Sequence, residues 1–297
     1  MKVAITGGLG DLGSTLLRQN PYGHELIAID RGEPAKATAA AGQRYIQADV
    51  CDLPALTDAL RGADAVVHLA ALRSPHVAPP ETVFRVNTLG AYHVTLACEA
   101  LGIHALVFAS SICYFGYLFR QHLVSPPYFP VDEETPAYPE DSYSLSKRVG
   151  EQIMQAFVQR TGGAVASLRF AYLYPNGASG IPASRRDVGD MALDERWAKS
   201  WWTYVDLEDA GRVTWQALHY ISERDHTHEA FNIGADDTHT TAPTRDALQQ
   251  FFPSADLRHD EAAARDPHIA LYSNAKAKRL LSFQPTPPTW RQRYAKH

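Results

Sequence analysis

Short apolar runs alternate with longer stretches whose apolar positions recur every three or four residues, from the start of the chain to about residue 170. The runs Lys2–Thr6, Glu25–Asp30, Arg44–Ala48, Ala63–Leu69, Ala105–Ser110 and Ala164–Phe170 predict strands. The stretches Asp11–Gln19, Leu53–Leu60, Thr82–Leu101 and Ser142–Arg160 predict helices, with Leu12, Leu16 and Leu17 on one face of the first. Alternation of this kind predicts an α/β fold: a parallel sheet with helices on both faces.

The regularity then breaks. Pro175–Ala183 is rich in Gly, Pro, Ser and Asn and predicts a loop. Trp201–Val205 predicts a short strand, Asp206–Tyr220 a helix, and Glu229–Ile233 a strand that rejoins the sheet. The last sixty or so residues predict mostly helix with Pro-rich turns.

A chain of 297 residues has room for one large α/β domain and a smaller lobe. The net charge of -5 gives no basic footprint for nucleic acid. No apolar run reaches the roughly 18–20 residues of a membrane span. Cys51, Cys98 and Cys113 are odd in number and lack metal-site spacing, which fits a reducing compartment. The first strand starts at Lys2, so no leader is expected and the cytoplasm is the expected location.

Gly7, Gly10 and Gly13 stand between a strand and a helix. Glycines there permit a tight turn and close approach of a pyrophosphate, and the helix start at Asp11, Leu12 and Gly13 offers free N–H groups. A ligand-free glycine turn has the same composition; the strand–loop–helix context favours a dinucleotide. Asp30 ends the second strand, where a carboxylate accepts ribose hydroxyls and repels a 2′-phosphate. That favours NAD over NADP, while Arg31 next to it is suited to the phosphate. Asp49-Val50 ends the third strand, where Asp49 either reaches an adenine amine or serves a turn.

Tyr143 and Lys147 lie one helical turn apart on one face. A phenol with pKa ~10 must fall by roughly 3 units, ~4 kcal/mol, to serve as a base near neutrality, and an ammonium supplies part of that. The spacing alone also describes an ordinary surface helix. Together with the glycine loop and Ser110-Ser111 at a strand end, it points to proton transfer beside a nicotinamide. Tyr143 is then the proton acceptor or donor, Lys147 its electrostatic partner and ribose contact, and Ser111 the group that orients the substrate oxygen.

These residues, with His68-Leu69-Ala70-Ala71, Asn87, Leu168-Arg169-Phe170, Tyr204-Val205-Asp206, Asp209 and Asn232-Ile233-Gly234, resemble the extended short-chain dehydrogenase/reductases, a superfamily of NAD-dependent sugar epimerases, dehydratases and dehydrogenases. The resemblance implies a Rossmann-type doubly wound domain over 1–174, rejoined by 203–234. It implies a small, mostly helical substrate lobe over 175–202 and 235–297. It implies that Leu69, Ala70 and Ala71 line the cofactor channel, that Asn87 supports the central helix and sheet, and that the two long helices form a homodimer interface; their apolar faces fit packing on the sheet alone equally well.

Departures from the family narrow the reaction. Related 4,6-dehydratases carry Asp-Glu where Ile112-Cys113 follows Ser111, so that dehydration is not expected. Nucleotide-sugar epimerases place a phosphate-reading Asn where Tyr172 stands. The stretch from Phe108 to Tyr117 is similar to uronate dehydrogenases, although these carry Asn where Ile112 stands. The expected function is NAD-dependent oxidation or reduction of a sugar or sugar acid, with a nucleotide-sugar epimerase or ketoreductase as the alternative and a non-catalytic dinucleotide sensor as a third reading. Candidate substrate residues are Arg73, Ser74, Ser111, Ile112, Cys113, Tyr172 and Arg185. Cys113 is either a carbon acid/base or a small buried residue. Trp197, Trp201 and Trp202 are either a sugar-stacking surface or core. His226 and His228 lack a third ligand, and no metal is expected.

Overall fold

The computed structural model describes residues 1–33, 43–174, 193–240, 242–258 and 265–286. Seven parallel strands form the main sheet: β1 (Lys2–Thr6), β2 (Glu25–Asp30), β3 (Gln43–Gln47), β4 (Ala65–His68), β5 (Ala105–Ser111), β7 (Ala164–Phe170) and β10 (Thr227–Ile233). Their order across the sheet is β10-β7-β5-β4-β1-β2-β3. Helices α1 (Asp11–Gln19) and α6 (Leu207–Ser222) cover one face; α2 (Leu53–Ala59), α3 (Pro80–Leu101) and α4 (Ser142–Thr161) cover the other.

The strands read as near-continuous apolar runs because both faces are buried. Val3 and Ile5 pack toward α1 and α6, while Ala4 packs toward α2, α3 and α4. Val107 joins the first cluster and Leu106 and Phe108 the second. This period of two is the side-chain alternation of a strand.

The sheet order reverses between β1 and β4, which opens a crevice at their C-terminal ends. A second set of elements stands over that edge. β6 (Tyr128–Phe129) pairs with β11 (Asp256–Leu257), and β8 (Tyr172–Tyr174) pairs with β9 (Tyr204–Asp206). Helices α5 (Glu195–Ala198), α7 (Thr244–Phe251) and α8 (Ala275–Leu281) complete the described elements.

Two expectations are corrected. The strand expected over Trp201–Val205 begins only at Tyr204: Trp201 and Trp202 precede it with left-handed φ angles of 55° and 49°. The reversal turns both indoles inward, where they are 1% and 0% exposed. The last sixty residues are not mostly helical among the described residues, where α7 and α8 cover only part of the stretch. Pro243 stands at the start of α7 and Pro253 just past its end, and the chain beyond is tied by backbone bonds such as Val131 N–H to Leu271 O (2.8 Å). The expected loop Pro175–Ala183 lies outside the described residues. Glu229–Ile233 does return to the sheet, as part of β10 along β7.

Candidate active site

The glycine loop fills the crevice between β1 and β4. Gly7 has φ +74°, and a Cβ there would lie 2.8 Å from Ala70 N. A Cβ on Gly13 would lie 2.4 Å from Gly7 O. The loop therefore closes on itself only with glycine at both positions. Helix α1 begins at Asp11 with no side-chain cap, so the first N–H groups, those of Leu12 and Gly13 included, face the loop opening. The Asp30 carboxylate lies beside the loop and accepts N–H bonds from Leu9 (3.1 Å) and Gly32 (3.2 Å). Arg31 is exposed. Asp49 is exposed and accepts the Cys51 N–H (2.8 Å), while Val50 is buried against Gly90. Leu69, Ala70 and Ala71 continue from β4 beside the glycines, half-buried. The buried Asn87 clamps this segment: its Oδ1 accepts Leu72 N–H (2.8 Å), and its Nδ2 donates to Leu72 O (2.9 Å) and Ser146 Oγ (3.0 Å).

One strand further along, the catalytic candidates converge. Asp141 caps α4 by accepting the N–H groups of Tyr143 and Ser144, both at 2.9 Å, and so places Tyr143 in the first turn. Lys147 follows one turn later and donates to Ala109 O on β5 (2.8 Å). Its Nζ lies 5.6 Å from the centre of the Tyr143 ring and 5.3 Å from that of Phe108. Ser111 ends β5, and its Oγ accepts the Cys113 N–H (3.1 Å) at the start of the 3-10 turn Ile112–Phe115. Tyr143, Lys147 and Ser111 are all buried.

Burial dominates their electrostatics. It pulls Lys147 down to about 8, with Cys113 and Glu151 opposing. It raises the Tyr143 phenol, helped by Cys113 and offset in part by the Ser111 hydroxyl and by Arg73. Burial pushes the Cys113 thiol up to about 12, so it stays protonated at neutral pH. The fall in the Tyr143 pKa expected from Lys147 is therefore not built into the protein alone: the ammonium is turned to Ala109 O, and desolvation wins.

The sequence profile of the NAD dependent epimerase/dehydratase family matches residues 3–234. The chain belongs to that family. It is an NAD-dependent enzyme. It is 27% identical over 175 residues to a uronate dehydrogenase of Pseudomonas putida, covering 59% of this chain and 62% of that one. It is 32% identical over 177 residues to an L-arabinose 1-dehydrogenase (NAD(P)(+)) of Haloferax volcanii, covering 58% of this chain and 67% of that one. Among solved structures it resembles a UDP-galactose 4-epimerase, with TM-score 0.70 and 21% identity over 98% of this chain and 95% of that one.

The epimerase/dehydratase fold accounts for the crevice, and its residues fit NAD. Gly7 and Gly13 let the loop close tightly on its own backbone, and the uncapped start of α1 supplies donors for a pyrophosphate. Asp30 stands where ribose hydroxyls would meet a carboxylate.

The remaining candidates disperse. Arg73 is exposed and bonds Asp11 (2.8 Å) across the mouth of the crevice, with half-buried Ser74 beside it. Ile112 is buried in the turn after Ser111. Tyr172 is 42% exposed, two residues past Phe170, which is in register with Ser111. Its ring meets the half-buried Trp197 edge-on, centroids 5.9 Å apart, whereas Trp201 and Trp202 belong to the core. Arg185 lies outside the described residues. His228 bonds Ser167 Oγ (2.9 Å) and His226 packs against Gly162. No cluster of three or more metal-ligating side chains occurs among the described residues.

Sequence reasoning gave no site role to three groups, although His68 and Arg169 stand in motifs quoted for the resemblance. Buried His68 bonds Thr6 Oγ1 through Nδ1 (2.7 Å) and is pushed down to about 3 by burial and Lys147. Phe119 meets Tyr143 edge-on (6.2 Å) from a segment with no periodic signal. Glu151, one turn past Lys147 on α4, forms a buried ion pair with Arg169. Glu151 had a local signal in its place one turn after Lys147, whereas Phe119 had none.

Proposed function

We propose that this enzyme oxidises a hydroxyl of a free sugar or sugar acid, with NAD as hydride acceptor. The carrying observation is the convergence of Tyr143, Lys147 and Ser111 at the C-terminal edge of the sheet, next to the glycine crevice. Ser111 Oγ orients the substrate hydroxyl and Tyr143 Oη takes its proton. Lys147 stabilises the phenolate and contacts the nicotinamide ribose. Bound NAD supplies the hydride-accepting carbon. Gly7, Gly10, Asp11, Leu12, Gly13, Asp30, Asp49, Val50, Leu69, Ala70 and Ala71 surround the dinucleotide in this reading, with Asn87 holding the channel in shape. Arg73, Ser74, Ile112, Cys113 and Tyr172 face the substrate.

Similarity to a uronate dehydrogenase and an arabinose dehydrogenase supports the free-sugar reading, as does Tyr172 in place of a phosphate-reading Asn. The test is NADH absorbance on mixing the protein with NAD and a panel of aldoses, uronic acids and nucleotide sugars. NADH formed from a free sugar or uronate is the expected outcome. Silence across the panel, with interconversion of nucleotide sugars and retained NAD, would replace it by an epimerase.

The same reading assigns residues 175–202 and 235–297 to a substrate lobe and the enzyme to the cytoplasm. It also makes the enzyme a homodimer through α3 and α4. The outer surface of these helices carries a shallow depression lined by Phe84, Leu89, Tyr92 and Ile153, with Tyr92 44% exposed. Among the described residues no helix is long and apolar enough to cross a membrane.

A further inference from the structure

We propose that Tyr45 and Gln47 are positioning residues for cofactor choice: from one face of β3 they hold the turn Asp30–Gly32, so that the Asp30 carboxylate stays against the glycine loop and Arg31 stays in solvent. The claim rests on the ribose contact of Asp30 proposed above.

The edge strand β3 departs from the pattern of its sheet. The inner strands carry apolar residues on both faces, whereas Gln43, Tyr45 and Gln47 alternate along one face of β3. Each of the three meets a main-chain carbonyl. Gln43 Nε2 donates to Leu17 O in the last turn of α1 (2.7 Å). The Tyr45 hydroxyl shares its proton between Asp30 O (3.2 Å) and Gly32 O. Gln47 Nε2 donates to Arg31 O (3.0 Å). Three consecutive carbonyls, those of Asp30, Arg31 and Gly32, are thus held by two side chains that stand two residues apart.

The turn is fixed from its other side as well. Asp30 O also accepts Ala48 N–H (3.0 Å). The Asp30 carboxylate accepts Leu9 N–H of the glycine loop (3.1 Å) and Gly32 N–H (3.2 Å). Re-aiming Asp30 therefore breaks several hydrogen bonds at once. A ribose 2′-phosphate needs the reverse arrangement, with the carboxylate withdrawn and a guanidinium brought in. Bringing Arg31 inward turns its peptide, and Gln47 holds that peptide's carbonyl. Cofactor choice is then set by the polar face of β3 as well as by the charge of Asp30.

The test is calorimetric titration of the full-length protein and its variants with NAD and with NADP, which needs no substrate. Tyr45→Phe keeps the ring and removes the hydroxyl. It should narrow the ratio of the two dissociation constants by about fivefold, the worth of a neutral hydrogen bond, by weakening NAD and not NADP. Gln47→Ala, at an exposed position, should narrow the ratio by about threefold. In both variants the Gly32 amide should exchange with solvent faster than in wild type, without any cofactor present. A ratio unmoved in Tyr45→Phe overturns the proposal, and so does an equal loss for both cofactors, which would make the hydroxyl a stabilising contact only. If Tyr45→Phe folds poorly, Gln47→Ala decides by the same two outcomes. Asp30→Asn separates this inference from the contact on which it rests. A ratio narrowed by Asp30→Asn but not by Tyr45→Phe refutes this inference alone. A ratio narrowed by Tyr45→Phe but not by Asp30→Asn refutes the ribose contact alone.

Discussion

Tyr143 enters the site as a phenol whose burial opposes its ionisation, so its role is tested by removal of the oxygen. Tyr143→Phe keeps the ring contact with Phe119 and should lower kcat by about 10²–10⁴-fold. NAD affinity, measured by calorimetry, should stay within a few-fold of wild type; equal losses in both would assign the phenol to binding. Lys147 is held at a cost. Its pKa falls from 10.5 to about 8 on burial, so the unfolded chain binds more protons between those values and stability rises with pH across that window. Below pH 8 the whole penalty, about 3 kcal/mol, is present. Lys147→Met should therefore be inactive yet more stable at pH 7 by up to that amount, less the lost bond to Ala109 O, and the advantage should disappear by pH 10.5. Denaturant midpoints at pH 7 and 10.5 check it. Tyr143 and Lys147 could be paired from sequence because they lie one helical turn apart, and Ser111 because a strand signal ends at it. The inward turn of Trp201 and Trp202 could not, because two adjacent left-handed residues break the period that a strand and a helix share with their sequence.

At the scale of elements, the glycine loop and the strand ends set what can be bound. Gly13→Ala would force a methyl within 2.4 Å of Gly7 O, backbone that cannot yield cheaply. That variant should lose NAD binding by calorimetry while retaining its far-UV circular dichroism. The Asp30 carboxylate accepts two N–H groups of the loop and the turn. Asp30→Asn should therefore loosen the discrimination between NAD and NADP, narrowing the ratio of their kcat/KM values by about tenfold or more through loss of one repelling charge. An unchanged ratio would move cofactor selection to Arg31 or elsewhere. Strands and helices of the sheet were legible within a residue or two, since their apolar periods are long and both faces are buried. The stretch after Ile233 was not: its order comes from pairing with distant segments, as in β11 with β6, and such pairing leaves no periodic trace.

At the scale of the molecule, α3 and α4 offer the long outer surface through which two copies would meet. Tyr92→Glu places a charge in the exposed apolar depression and should convert a dimer to a monomer in sedimentation velocity. A wild-type monomer would refute the assembly directly. The crevice between β1 and β4 lies beside the glycine loop that the sequence marked, but alternation alone does not give the strand order that places it there.

The sheet is completed out of order. β7 ends at Phe170, but the strand that covers its outer edge, β10, begins at Thr227, after the chain has built β8, α5, β9 and α6. While the chain emerges from a ribosome, a fully buried apolar strand must wait with one row of backbone groups unpaired until Ile233 has been made. Such an edge is a template for pairing with other chains. Nascent or C-terminally truncated forms that stop short of β10 should depend on chaperones to stay dispersed, whereas the finished protein should not.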